Sequence, residues 1–366
     1  MLNKIMGSHN VLRRCVAILP VVSVALFASL AQQPPSKAKW QRLSRSPILA
    51  PRGKDWESSG TFNPAVIAKD GKFVMLYRAQ DDRGTSRLGY AESFDGIHFD
   101  RQADPVFSPE TGYEKDGGVE DPRLVRIANT FYLTYTGYNK KDAQLCLATS
   151  RDLIHWNRLG VLLPAYQGNW NKGWTKSGAI LTTRIHGDYW MYWLGMAADK
   201  TDQMGLSRSK DLIHWTEATQ TPVLPRRPGK FDSRVVEPGP PPILTDAGIV
   251  LIYNGADDNL AYRTGFAVFD RNDPGKLLYR SDTPVFVPEL EWEKIGQVPN
   301  VVFVEAMVRK NGRWLFYYGA ADRYVGVAAA NELLPTDARK ARWVITKTKP
   351  RVAAIRDPGE MGSRPN

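Results

Sequence analysis

One seven-residue phrase returns twice along the chain, and it constrains the fold more than any other feature. Ser93-Phe94-Asp95-Gly96-Ile97-His98-Phe99 reappears as Ser150-Arg151-Asp152-Leu153-Ile154-His155-Trp156 and as Ser209-Lys210-Asp211-Leu212-Ile213-His214-Trp215, at nearly equal spacing. Each copy follows a short apolar segment, and upstream of each lies an aromatic segment ending in a small or polar turn. That aromatic segment occurs five times. Its anchor tyrosines, read from the sequence, are Tyr77, Tyr135, Tyr192, Tyr253 and Tyr317, again at nearly even intervals. Five units of about 60 residues, each a run of short strands broken by Gly, Asp and Asn turns, predict an all-β chain: a single five-bladed β-propeller with an axial funnel. No segment carries a sustained helical period. A single blade cannot bury both its faces, so aromatic and branched residues must pack blade on blade, which suits eleven Trp and fifteen Tyr.

The ends read differently. Lys4, Arg13 and Arg14 precede an apolar run from Val16 to Leu30, and Ser29-Leu30-Ala31 supplies small residues for cleavage. The order is that of an export signal over 1–31, too short and too broken by Pro20 for a comfortable span of about 20 residues. The expected layout is then a linker over 32–45, the propeller over 46–345 and a basic, disordered tail over 346–366, with a secreted or periplasmic product and no membrane span in its mature form. Cys146 would be the one cysteine left after cleavage, a buried inert thiol with no disulfide partner.

The net charge of +11 does not describe the folded face. Residues 1–31 carry +3 and residues 337–366 carry +5, leaving +3 for everything between. A nucleic-acid binder places its basic stripe on the folded surface, so nucleic acid is excluded as a partner. His98, His155 and His214 recur at one position of the repeated phrase, which points to a turn contact. No metal constellation is expected.

Chemistry should sit where the repeat is broken by polar residues. The five blade starts carry Asn63, Asp121, Lys176, Glu237 and Glu305, expected to form a ring around the axis. Three carboxylates sharing one funnel are costly unless used, because like charge and partial desolvation push their pKa values apart. One protonated acid and one ionised base is the arrangement that glycoside hydrolysis needs.

Several local motifs, taken in order, are similar to those of a known family. Phe62-Asn63-Pro64-Ala65, Tyr77-Arg78-Ala79, Ser86-Arg87-Leu88-Gly89-Tyr90-Ala91, Glu120-Asp121-Pro122-Arg123, Gly239-Pro240-Pro241-Pro242-Ile243 and Tyr318-Gly319-Ala320-Ala321-Asp322 resemble glycoside hydrolase family 130, the β-mannoside phosphorylases and β-mannosidases. The match runs from about Ser58 to Ala330. The resemblance implies a five-bladed propeller and an inverting single displacement. It makes Asp121 the general acid, acting through a hydroxyl of the bound mannose, and gives that mannose to Asn63, Arg78 and Asp322. Arg87, Arg123, Lys176, Tyr253 and Tyr318 complete the expected substrate contacts.

The chain departs from the phosphorylase pattern at Tyr253-Asn254-Gly255, where those enzymes read Tyr-His-Gly, and at Glu237 and Glu305. A carboxylate about 4 Å from a phosphate repels it by several kcal/mol at an effective dielectric near 20, whereas the same group can activate water. Lys176 argues mildly the other way. The sequence reading therefore favours an exported inverting β-mannosidase with Asp121 as acid and Glu237 or Glu305 as base. Its alternatives are a β-mannoside phosphorylase, with inorganic phosphate as co-substrate, and a catalytically silent sugar-binding propeller. No cofactor is expected.

Overall fold

The computed structural model describes residues 40–334. The expected signal over 1–31, most of the linker and the tail lie outside the described residues. What is described is all-β apart from one helical turn, α1 (Glu291–Lys294), and no described helix is long and apolar enough to cross a membrane.

The strands form three sheets, of four, nine and eight strands; each of the two larger sheets joins two antiparallel repeats through one parallel bridge, Ser86 to Gly118 and Asp202 to Val235, so the repeats number five. Strand β1 (Gln41–Arg42) precedes repeat one, which comprises β2 (Gly60–Lys69), β3 (Lys72–Gln80), β4 (Ser86–Ser93) and β5 (Asp100–Arg101). Repeat two holds β6 (Gly118–Ile127), β7 (Thr130–Tyr138), β8 (Ala143–Ser150) and β9 (Asn157–Leu163). Repeat three holds β10 (Thr175–Ile185), β11 (Asp188–Met196), β12 (Asp202–Ser209) and β13 (Thr216–Glu217). In repeat four the first strand is split into β14 (Val235–Pro238) and β15 (Ile243–Thr245), followed by β16 (Gly248–Ala256), β17 (Tyr262–Phe269) and β18 (Leu277–Arg280). Repeat five has β19 (Val302–Lys310), β20 (Arg313–Ala320) and β21 (Tyr324–Ala330), and its fourth strand comes from the other end of the chain. Gln41 pairs with Ala329, Arg42 with Ala328 and Leu49 with Val325. The expected pairing of the segment around Pro47 with the last repeat is therefore present.

Local chemistry explains the hairpins. Asp70-Gly71, His186-Gly187 and Asn311-Gly312 each place two consecutive residues at positive φ, the two-residue turn whose twist matches that of the flanking strands. Second strands such as Phe73-Val74-Met75-Leu76-Tyr77 are buried on both faces, because each sheet packs against neighbours on either side. On β4, a Cβ at Gly89 would stand 2.3 Å from the Tyr77 ring, so only glycine lets that aromatic lie across the strand.

The repeat also has a feature that the sequence reading missed. In four repeats a buried acid accepts the anchor hydroxyl: Tyr77 donates to Glu57 (3.0 Å), Tyr135 to Glu114 (2.7 Å), Tyr253 to Asp232 (2.7 Å) and Tyr318 to Glu293 (2.8 Å). Each acid is also paired with arginine: Arg52 and Arg101, Arg158, Arg227 and Arg280, and Arg42 respectively. Repeat three substitutes Trp193, stacked on Trp170 with ring centroids 5.3 Å apart. The true anchors are thus Tyr77, Tyr135, Trp193, Tyr253 and Tyr318, which displaces the expected Tyr192 and Tyr317 by one position each. Adjacent aromatics on one strand point to opposite faces, and a pattern search cannot tell which of the two is the anchor.

The repeated Ser-x-Asp phrase is a turn lock, as expected for its histidines. Asp152 Oδ1 accepts the Ile154 and His155 backbone amides at 2.9 and 2.8 Å, and Oδ2 lies 2.8 Å from His155 Nδ1. Asp95 with His98 and Asp211 with His214 repeat this geometry. Cys146 is fully buried, and burial pushes its thiol up to about 12, which keeps it unreactive.

Candidate active site

The first strands are irregular at the position where polar residues were expected. Register slips between Phe62 and Pro64, between Glu120 and Arg123, between Lys176 and Ala179, and between Val304 and Ala306. Bulges of this kind re-aim side chains. Asn63, Asp121 and Ser177 occupy them at φ of 46°, 50° and 59°, left-handed values that a side chain rarely adopts without cause.

Around them lies a cavity of about 240 Å³ that includes Asn63, Arg78, Asp121, Lys176, Glu237 and Asp322, six of the expected site residues. Asn63 Nδ2 donates to Asp121 Oδ1 at 2.7 Å, and Arg78 Nη1 reaches the same oxygen at 3.0 Å. Arg78 Nη2 binds Glu120 at 2.6 Å while its guanidinium lies 4.6 Å above the Phe62 ring. Lys176 has no ion pair within 4.0 Å among the described residues, and its ammonium sits 5.4 Å from the Trp174 ring centre. Larger but more open hollows lie at the Asp152 and Asp211 turns. Two repeats share them with the same residue types, so they follow from the turn and not from a site.

Three expectations are corrected in register. Lys176 and Glu237 stand opposite Leu194 and Asn254, one residue beyond the anchors Trp193 and Tyr253, as Glu120 stands opposite Thr136, one residue beyond Tyr135. Glu305 lies one position past the anchor pair Val304–Tyr318. The five polar residues are therefore staggered; the bulges keep Lys176 and Glu237 on the cavity with Asn63 and Asp121, and Glu305 falls outside it. Glu305 is fully buried and does not line the cavity. Its carboxylate is 2.7 Å from Arg123 Nη1 but not aligned as a hydrogen bond, and no other described donor reaches it.

Arg123 was expected to touch substrate, yet it is 1 % exposed. It donates to the carbonyls of Pro238 (2.8 Å), Gly239 (3.2 Å) and Asp121 (3.1 Å), tying the acid-bearing strand to the Glu237 strand. Arg87, Tyr253 and Tyr318 do not reach the cavity either. Arg87 pairs with Asp81 at 2.8 Å, and the two tyrosines are the buried anchors of their repeats. Trp174, Asp202, Leu260, Tyr262 and Phe303 line the cavity unanticipated. Of these, Trp174 and Phe303 lie two residues before the expected Lys176 and Glu305, and nothing in the sequence marked the other three.

Electrostatics divide the acids. Burial drives Glu237 up to about 7, against Arg123, Ser177 and Lys176, which pull it down. Burial likewise lifts Asp322 and Asp202 to about 6 and Glu305 well above its ordinary range. Asp121 goes the other way. Its burial is outweighed by Arg78, Lys176, Arg123 and the Asn63 hydrogen bond, which hold it below the usual carboxylate range. That direction favours the ionised form of Asp121, so a general acid there needs a bound sugar to raise it. Burial lowers the Lys176 ammonium less than Glu120, Asp121 and Glu237 raise it, so it stays charged.

Comparison with known proteins places this geometry. The model of glycoside hydrolase family 130, described as beta-1,4-mannooligosaccharide phosphorylase, matches residues 41–336. The chain belongs to glycoside hydrolase family 130. This family member is 39 % identical over 301 residues to a 1,2-beta-oligomannan phosphorylase of Thermoanaerobacter sp. (strain X514), covering 79 % of the chain and 96 % of that relative. It is 35 % identical over 304 residues to a beta-1,2-mannobiose phosphorylase of the same organism, covering 78 % and 95 %. A solved structure described by the words "The GH130 family of mannoside phosphorylases contains glycoside hydrolases that target beta-1,2 mannosidic linkages in Candida mannan" is 36 % identical, with a TM-score of 0.73 over 82 % of this chain and 96 % of that one. The family expected from the motifs is thus shown, as is an all-β fold shared with its solved members. Between the two reactions carried from the sequence, the named curated relatives support phosphorolysis better than hydrolysis.

Proposed function

We propose that the chain cleaves β-mannosides, with the β-1,2 linkage named for its relatives as the first to test, by a single inverting displacement in which water is the acceptor. The observation that carries water over phosphate is the charge of the cavity and its wall. Arg78, Arg123 and Lys176 face Glu120, Asp121, Asp202, Glu237, Glu305 and Asp322, three cations against six acids. A phosphate dianion needs converging cations. Here Arg123 is already committed to carbonyls, and Arg78 to Glu120 and Asp121.

In this reading Asn63, Arg78 and Asp322 hold the mannose. Water attacks its anomeric carbon and loses a proton to Glu237 while the bond to the glycosidic oxygen breaks. That oxygen takes a proton from Asp121, relayed by a sugar hydroxyl. The bound sugar must raise Asp121 by drawing Asn63 and Arg78 away from its carboxylate. Glu305 stands behind Arg123, 2.7 Å from its guanidinium and outside the cavity, and Glu237 alone is the base. The reading also takes the five repeats as blades around one axis. It is supported by the packing of first strands in the order β19, β2, β6, β10, β14, and by Asn254, which bonds both ways with the Val304 backbone at 2.9 and 3.0 Å. Export with cleavage after Ala31 belongs to the same proposal and is tested by N-terminal sequencing of the secreted product.

Phosphorolysis stays as the second reading because of the names of the curated relatives and the unpaired Lys176. One experiment separates them: incubation of β-1,2-mannobiose with and without inorganic phosphate, assayed for mannose and mannose 1-phosphate. Free mannose at equal rates in both arms is expected. Phosphate-dependent mannose 1-phosphate would replace hydrolysis with phosphorolysis, and no cleavage of any β-mannoside would leave a binding propeller.

A further inference from the structure

Ser177 was not among the expected site residues, yet it occupies the third bulge in the same left-handed conformation as Asn63 and Asp121. A non-glycine residue in that region costs about 1–2 kcal/mol, and strain of this kind persists where surrounding structure demands it. Only 1 % of Ser177 is exposed, and its hydroxyl donates a hydrogen bond to Glu237 Oε1. Arg123 Nη2 approaches the same oxygen at 4.0 Å. Both restraints fall on Oε1, and no hydrogen bond or ion pair reaches Oε2 among the described residues. We propose that Ser177 is the positioning residue that aims Glu237, holding Oε1 so that Oε2 is the oxygen presented to the attacking water.

The inference rests on the reading of Glu237 as base. Serine has one hydroxyl proton, and once it is given to Oε1 the carboxylate cannot rotate without losing that bond. The charged and titratable groups facing Glu237 are Arg123 and Asp121 on β6, Lys176 on β10, Tyr262 on β17 and Glu305 on β19. None of them changes when the Ser177 hydroxyl is removed, so the effect of removal can be assigned. The hydrogen bond favours the ionised carboxylate. Its loss must raise a group already lifted to about 7, and a base that works ionised then needs a higher pH.

The test uses Ser177→Ala, Ser177→Gly and Ser177→Thr in the full chain, with kcat and KM for mannose release from β-1,2-mannobiose measured across pH. Hydrogen bonds to charged groups are worth enough to move a titration by about one pH unit. In the Ala and Gly variants the acid limb of kcat/KM should move upward by about that much, and plateau kcat should fall about tenfold with KM within about twofold of wild type. Glycine suits the left-handed backbone, so the Gly variant keeps the fold even if the Ala variant does not. Thr retains the hydroxyl at a cost in thermal stability and should keep the wild-type limb. An unmoved limb in both the Ala and Gly variants, with wild type releasing mannose, overturns the role of Ser177 alone. A wild type that releases no mannose without phosphate overturns the base reading and this inference with it.

Discussion

The chain buries two sets of acids, and they are built in opposite ways. Glu57, Glu114, Asp232 and Glu293 sit under the anchor tyrosines, each matched by at least one arginine and a phenolic hydroxyl, and Glu114 and Glu293 by backbone amides as well. The cavity itself holds four acids, Asp121, Asp202, Glu237 and Asp322, against two cations, Arg78 and Lys176, and its acids are left with raised or divided protonation. A buried charge that is fully paired serves the fold, since removing one partner strands the other. A buried charge left short of partners is held ready to exchange a proton. The first set recurs in four of five repeats, and the second is different in every one.

The sharpest challenge to this contrast is Asp121→Asn. It should lower turnover by about 10²–10⁴, the usual loss when general acid catalysis is removed, with the melting temperature held within a few degrees. Unfolding in that variant would make Asp121 a structural acid after all. Glu114→Ala should do the reverse. Leaving the Tyr135 hydroxyl and Arg158 Nε without their acceptor, with Glu110 at 2.9 Å as the remaining partner of that guanidinium, should cost up to about 3–5 kcal/mol in denaturant unfolding, while kcat and KM of the protein that remains folded stay near wild type. Loss of activity without loss of stability would merge the two sets.

Glu237→Gln should reduce mannose release at least about a hundredfold, and Glu305→Gln by clearly less, because only the former lines the cavity. Equal losses would return Glu305 to candidacy as the base. A smaller effect concerns stability against pH. Glu237 titrates near 4.5 when unfolded and near 7 when folded, so the native state binds its proton more tightly. That contribution is present below about pH 4.5 and is lost as pH rises towards 7, amounting to a few kcal/mol at most. Glu237→Gln lacks it, so wild type should lose stability relative to the variant over that window, as followed by chemical denaturation. Smallest of all is Arg87→Ala. Its partly exposed pair with Asp81 lies outside the cavity and is worth about 1 kcal/mol, and mannose release should not change.

The misreadings of the sequence have a common cause. Tyr192 and Trp193, or Tyr317 and Tyr318, are adjacent aromatics on one strand, and which of the two faces the buried acid depends on register. Tyr253 and Tyr318 carry family motifs and so looked like sugar contacts, but their hydroxyls are spent on Asp232 and Glu293. Arg123 belongs to the Glu120-Asp121-Pro122-Arg123 motif, and only its burial against Pro238 and Gly239 shows that it spaces two strands. Ser177 had no signal, because a serine in a bulge reads like any serine in a strand.

What the sequence determined by itself was periodic or covalent. The even interval between aromatic segments set five repeats, the Asp-x-x-His phrase set its own turn lock through near neighbours in the chain, and the ordered motifs identified the family. Such features depend on neighbours in the chain, and local geometry follows from local residues. The tertiary structure alone decided which acid meets which cation. Asp121 and Arg78, Ser177 and Glu237, and Arg123 and Glu305 each join two different repeats, the last pair bridging the second and the fifth. The protonation of each depends on the sum of burial and charges brought from several repeats at once, a quantity that no segment of the chain carries on its own.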